Sequence, residues 1–223
     1  MGIASRSEAS RWVAEGRVRV DDVVVRDPEF PVRQGIERVV IRGIEAVPAS
    51  RLVVMLNKPR GLVTTTRDEQ NRDTVYRCFD DGGLPWIAPV GRLDRASEGL
   101  LLFTNDPEWG ARITDPATGP EKTYHVQTSI VPTPALLAQL VGGAVVDGER
   151  LAAKAARVLR AGDKHGWLEL VLDEGRNRHI RRLLEAFDVR VLRLVRTSIG
   201  PITLGPLGKG KWRVLTDAEV ESL

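Results

Sequence analysis

Four consecutive large apolar residues, Leu100-Leu101-Leu102-Phe103, constrain this chain most, because they follow directly on the charged stretch Gly91-Arg92-Leu93-Asp94-Arg95-Ala96-Ser97-Glu98-Gly99. An uninterrupted apolar run bounded by turn residues fits a strand buried in a sheet. The fold must therefore bring Asp94, set between Arg92 and Arg95, beside a buried strand. Neighbouring guanidinium groups favour the charged form of a carboxylate, which suits Asp94 to nucleophilic or electrostatic work and makes it a poor general acid. An aspartate paired with arginine at a turn is the plainer reading of the same residues. A second apolar run, residues 52–56, leads into Asn57-Lys58-Pro59-Arg60-Gly61, where proline and glycine require a turn. Lys58 and Arg60 are expected on that turn, within reach of a polyanion.

The rest of the pattern predicts an α+β chain in two parts. Ser5 followed by Glu8 is a capping box, and Ala9, Trp12 and Val13 form an apolar stripe before Gly16, so a helix is expected over residues 5–15. Short valine-rich strands at 18–20, 23–25 and 39–41 follow, separated by Asp21-Asp22 and by a loop around residues 28–35. Ala46-Val47-Pro48-Ala49-Ser50 reads as a linker, dividing a small module (1–45) from a larger domain (51–223). In that domain residues 123–127, 155–159, 167–172 and 191–195 have strand character, while 135–140 and 177–187 have helical spacing. Several strands with fewer helices and no βαβ regularity give an α+β fold. In the last helix Ile180, Leu183, Leu184 and Phe187 share one face, Arg178 and Arg182 lie nearly opposite, and Arg181 sits at the border. Such a border arginine can bury its stem and aim its guanidinium at a buried carboxylate.

Composition narrows the partner without naming it. The chain has 223 residues and a net charge of +3, with 27 arginines against 6 lysines. Residues 1–45 carry 8 basic and 8 acidic side chains, so phosphate binding there needs a clustered face rather than a global surplus. No apolar run reaches membrane-spanning length and no secretory signal is visible, so no membrane partner is expected. A single cysteine, Cys78, excludes an internal disulfide and agrees with a reducing, cytoplasmic setting; it reads as a packing residue beside Phe79. The three histidines lack metal-ligand spacing, so no metal is expected. Gly205-Pro206-Leu207-Gly208-Lys209-Gly210 lacks the phosphate-loop pattern and reads as a turn.

Taken whole, residues 91–106, GRLDRASEGLLLFTND, resemble the signature of the pseudouridine synthases of the RsuA/RluB kind that act on ribosomal RNA. Leu56-Asn57-Lys58-Pro59-Arg60-Gly61, Glu121-Lys122-Thr123-Tyr124 and Glu174-Gly175-Arg176-Asn177-Arg178-His179-Ile180-Arg181-Arg182 resemble that family's other motifs, in its order. Gly2-Ile3-Ala4-Ser5-Arg6 and Glu15-Gly16-Arg17-Val18-Arg19-Val20 resemble the alpha-L type RNA-binding module, a small fold named after a ribosomal protein. The module's usual first helix is missing ahead of Gly2, and Asp21-Asp22 replaces an Asn-Gly type of turn. Either the start is truncated or the module is reduced.

The resemblance implies a catalytic domain with a mixed, largely antiparallel sheet flanked by helices and loops. It implies isomerisation of uridine to pseudouridine, with ribosomal RNA or a pre-ribosomal particle as partner. Asp94 would be the catalytic residue, Arg181 its ion-pair partner, and Tyr124 the ring on which the target base stacks. Substrate contacts are expected from Arg92, Arg95, Lys58, Arg60, Lys122, Arg178 and Arg182, and phosphate contacts from Arg6, Arg11, Arg17 and Arg19. His179 stands where relatives commonly have glutamine and is read as structural. A monomer and a large-subunit target are the default expectations. Two other classes remain open on sequence: a catalytically silent RNA-binding protein of ribosome assembly, and a nucleoside or glycoside hydrolase. The hydrolase would need a second carboxylate, for which Glu98 is the nearby candidate, although its place suggests a turn-stabilising role.

Overall fold

The structure, a computed structural model, describes residues 3–33, 35–46, 50–66, 68–80 and 83–223. Helix α1 (Arg6–Ala14) starts at Ser5, whose hydroxyl accepts from the Glu8 amide at 3.2 Å. Strands β1 (Val18–Val20), β2 (Val23–Val25), β3 (Val39–Ile41) and β4 (Ile44–Glu45) then form a four-stranded sheet in the order β2-β1-β3-β4. Asp21 and Asp22 take left-handed φ values of 45° and 65°, which is what a two-residue hairpin between Val20 and Val23 demands. The Asp-Asp pair thus makes the turn expected of Asn-Gly, helped by the Arg38 amide donating to Asp21 Oδ1 at 2.9 Å. Residues 47–49 of the expected linker lie outside the described residues, as does Arg67 at the start of the polar stretch 67–72, which reads in sequence as a loop.

The larger part runs β5 (Val53–Lys58), a 3-10 turn (Val75–Phe79), β6 (Ala88–Val90), β7 (Glu98–Thr104), α2 (Pro107–Thr114), β8 (Lys122–Thr128), α3 (Pro134–Gly142), β9 (Ala144–Val146), β10 (Glu149–Leu151), β11 (Ala155–Ala161) and β12 (Gly166–Leu172). It ends with α4 (His179–Glu185), β13 (Val191–Ile199), β14 (Ile202–Thr203), β15 (Trp212–Val214) and α5 (Asp217–Glu221). The main sheet has the order β11-β12-β8-β13-β7-β5-β15, with β14 on β13 and β6 on β7. Among its described pairings only β13 with β7 is parallel. The sheet is therefore mixed and largely antiparallel.

Both faces of this sheet are covered, which accounts for the unbroken apolar runs. Val54, Leu56, Leu101 and Phe103 enter one core with Val126, Leu168, Leu183 and Leu184. Their alternates Val53, Met55, Leu100 and Leu102 enter a second core with Trp109 and Ile113 of α2. Cys78 packs at the border of the first core. The helix expected over 177–187 is shorter, because Arg178 adopts a left-handed φ of 50° and the helix begins only at His179.

The parallel seam is unusually close. Arg196 of β13 lies opposite Gly99 of β7, and a Cβ placed on Gly99, whose φ is 101°, would lie 2.2 Å from the Arg196 carbonyl oxygen. Only glycine fits both that space and that backbone conformation. Gly99→Ala is expected to lower the unfolding free energy by more than about 2 kcal/mol, measured by urea denaturation of both proteins.

Candidate active site

A cleft of about 460 Å³ opens over this seam, walled by residues 91–94, β8, the segment 174–176, the start of α4, and β13. It brings together Arg92, Asp94, Lys122, Tyr124, Arg178 and Arg181, six of the residues singled out from sequence. Tyr124 is buried at 7% exposure, Asp94, Lys122 and Arg181 are half-buried, and Arg92 and Arg178 are exposed. The Asp94 carboxylate makes no ion pair or hydrogen bond with any described residue and is open to a ligand.

What fixes Asp94 is the backbone around it. Lys58, expected on an exposed turn, is instead the last residue of β5 and fully buried. Its ammonium donates to the carbonyl oxygens of Pro59 (3.1 Å), Asp94 (3.1 Å) and Ser97 (2.9 Å). Three donors meet three acceptors, so the lysine ties the Asp94 turn to β5 and does not face RNA. Burial pushes Lys58 down to about 8, opposed by the negative charge of Asp94. The hydroxyl of Thr64 donates to the Leu93 carbonyl at 2.8 Å, the Ser97 amide donates to the Asp94 carbonyl at 2.9 Å and the Gly61 amide to the Arg95 carbonyl at 2.7 Å.

Several expected contacts are not made. Asp94 and Arg181 do not form a direct ion pair: the guanidinium donates to the carbonyls of Val191 (3.4 Å) and Ala96 (3.3 Å), and its buried Nε has no partner. The two groups are still near enough to interact, since burial pushes Arg181 below its ordinary value and the Asp94 charge opposes that push. Arg95 is exposed and donates to the Gly61 carbonyl at 3.2 Å rather than to Asp94. Arg60 is exposed beyond the cleft lining, with its charge felt at Arg181. Arg182 turns away to the β9-β10 hairpin, 2.6 Å from Glu149 and 3.2 Å from Asp147. These acids stood too far along the chain for the helical pattern to reveal them. In the small module Arg6, Arg11 and Arg17 are exposed beside Glu29 (3.8 Å), Glu8 (3.8 Å) and Glu15 (2.7 Å), while Arg19 is exposed on β1.

Glu98 also differs from its expected role. It is a strand residue at 3% exposure, gripped by Arg193 through two bonds of 2.7 and 3.0 Å and by Lys209 at 2.6 Å. The hydrogen bonds from Arg193 hold its carboxyl down to about 2. Locked in this way, it is not placed as a hydrolase's second acid. His179 is buried, and its Nε2 donates to the Ala152 carbonyl at 3.0 Å. Desolvation pushes it below its ordinary value, so it is a neutral support of the 174–178 segment. Sequence reasoning missed Arg196, a buried arginine in the cleft wall; the alternation from Leu194 through residue 196 was the available signal.

Residues 52–186 match the family model described as RNA pseudouridylate synthase, and residues 1–36 match that of the S4 domain. The chain belongs to the RNA pseudouridylate synthase family. A Rickettsia bellii protein named as an uncharacterized RNA pseudouridine synthase is 35% identical over 96% of this chain and 93% of its own. Ribosomal large subunit pseudouridine synthase B of Bacillus subtilis is 32% identical, over 100% of this chain and 91% of its own. A crystal structure of a pseudouridylate synthase superimposes with a TM-score of 0.70 at 29% identity, covering 98% of this chain and 93% of that one. A Cbf5-Nop10-Gar1 complex shares the fold at a TM-score of 0.52 and 16% identity, over 68% of this chain and 50% of that one. The pseudouridine synthase fold thus carries an N-terminal S4 domain here, and the family's activity is isomerisation of uridine in RNA. No helix among the described residues is long and apolar enough to cross a membrane.

Two outcomes test the supports of this site. Lys58→Met removes three donors from buried carbonyls and is expected to cost about 3 kcal/mol or more, read by urea unfolding, with a fall in single-turnover rate that exceeds any change in RNA affinity. For Glu98 the folded-state value of about 2 lies below the ordinary 4.5, so its stabilisation is present above about pH 4.5 and lost as pH falls towards 2. The stability advantage of wild type over Glu98→Gln is expected to be on the order of 3 kcal/mol at neutral pH and to shrink steadily through that window.

Proposed function

We propose that this pseudouridine synthase modifies one uridine of ribosomal RNA in the cytoplasm, with the large subunit favoured, and that Asp94 is its catalytic residue. The observation that carries this reading is the convergence of Asp94, Tyr124 and Arg181 on one cleft from segments far apart in sequence. The name of the Bacillus subtilis relative supports the large-subunit target.

Cleavage of the bond between N1 and C1' places positive character on the sugar, and a fixed carboxylate facing it is most useful in a site that excludes water. Asp94 acts there either by attacking the sugar or by stabilising its charge and accepting a proton. The base turns and rejoins through C5. A uridine pulled from RNA loses its stacking neighbours, and the Tyr124 ring replaces them. Arg181 acts on Asp94 through space and holds the Ala96 carbonyl. Arg92, Lys122 and Arg178 line the path of the nucleotide. Residues 1–45 act as the RNA-binding module, presenting Arg6, Arg11, Arg17 and Arg19 to phosphates, and residues 51–223 form the catalytic domain. The enzyme works as a monomer, without cofactor, on RNA or a pre-ribosomal particle.

The test is pseudouridine mapping of both ribosomal RNAs in cells lacking the gene, complemented with wild type or Asp94→Asn. Loss of one modified position, restored by wild type and not by Asp94→Asn, is the expected result. Restoration by Asp94→Asn refutes Asp94 as the essential residue, and an unchanged map refutes ribosomal RNA as the target.

A further inference from the structure

Arg196 lies in the wall of the cleft, opposite Tyr124 of β8 and Gly99 of β7 in the sheet register. It is only 5% exposed. Its Nε donates to the Leu100 carbonyl at 2.7 Å, while its Nη2 is buried without a partner. No carboxylate forms an ion pair with it among the described residues. A second cation, Lys122, lies half-buried near it, pushed below its ordinary value by burial and then by the charge of Arg196, with the charge of Asp173 opposing that push. Two other carboxylates of the lining are already engaged: Asp115 accepts from the amides of Ala117 (2.7 Å) and Thr118 (3.1 Å), and Glu174 accepts from Arg176 at 2.8 Å.

A buried cation without a counter-charge is costly to hold, so Arg196, with a second cation close by, favours an anion in the cleft. The RNA backbone offers phosphates, but phosphates stay solvated, and a cation at 5% exposure is badly placed for them. The base enters more deeply. When the C1'–N1 bond breaks, its electron pair leaves with N1 and gives a uracil anion whose charge spreads over N1, O2 and O4. C1' is left electron-deficient beside Asp94. On rejoining, C5 supplies the electron pair to C1', the C5 proton is lost to base, and N1 takes up a proton, so the sum is an isomerisation.

We propose that Arg196, with Lys122 beside it, is the group that holds the uracil anion while it is detached from the sugar. This rests on the reading of Asp94 and Tyr124 given above. Arg196 and Asp94 then divide the work, the cation facing the departing base and the carboxylate the sugar. Placed donors of this kind are worth far more for charge that develops during reaction than for the neutral ground state.

The test uses the full-length protein and a ribosomal RNA fragment carrying the mapped uridine. Arg196→Ala is expected to lower the single-turnover rate by roughly 100-fold or more while RNA affinity changes less than about threefold. Added guanidinium ion restores the rate at least about tenfold, and urea, of similar shape but uncharged, does not. Equal rescue by urea, or a loss confined to RNA affinity, overturns the proposal. Should Arg196→Ala fail to fold, Arg196→Lys and Arg196→Gln, matched by thermal unfolding, decide it: the lysine variant outpaces the glutamine variant at least about tenfold if charge is what matters, and equal rates overturn it. An inert wild type refutes the functional reading and this proposal with it, whereas an active wild type with an Arg196→Ala protein of unchanged rate refutes only the role of Arg196.

Discussion

Everything around the cleft depends on how closely β7 and β13 approach each other. At Gly99 the two backbones leave no room for a side chain, and this contact belongs to the one parallel pairing described in an otherwise antiparallel sheet. The pairing sets the end of β7, which carries the Asp94 turn, against the strand that carries Arg196, with Tyr124 on the other side of that strand. Glycine at residue 99 is what allows the three to meet. The long apolar run after it then anchors β7 in both cores, so the turn is mounted on a rigid strand.

Cations in this region are held mainly by backbone carbonyls rather than by acids. Lys58, Arg181 and Arg196 all donate to carbonyl oxygens of the 94–100 stretch. This arrangement positions the backbone of Asp94 while leaving its side chain uncommitted. A direct salt bridge would orient the carboxylate but would also occupy it. Acids that pair tightly, such as Glu98 with Arg193 and Lys209, and Glu149 with Arg182, brace strands and a hairpin outside the cleft lining.

Much of this is legible in the amino-acid sequence. The Ser5 cap, the valine strands, the buried runs at 52–56 and 100–103 and the later strands follow from periodicity, because each element shows its burial in its own residues. Motif context singles out Asp94 and Tyr124, and both line the cleft. The errors share one cause. Lys58 was placed on a loop because proline follows it, yet β5 continues through it and buries it under the Asp94 turn. Arg182, expected to contact substrate, finds its acidic partners on a hairpin more than thirty residues earlier.

The sequence by itself determined the alternation that builds the sheet, the two-part organisation, and the chemical identity of the side chains available to line a cleft, since these depend on local spacing and residue type. Tertiary structure alone decided which charges meet. Whether an arginine or lysine faces solvent, a carbonyl or a carboxylate depends on strands and hairpins distant in the chain, and charge interactions fall off over a few ångströms with no trace in local sequence. For that reason Lys58 became a buried strut, Arg181 a carbonyl donor, and Arg196 a cation with no carboxylate partner among the described residues.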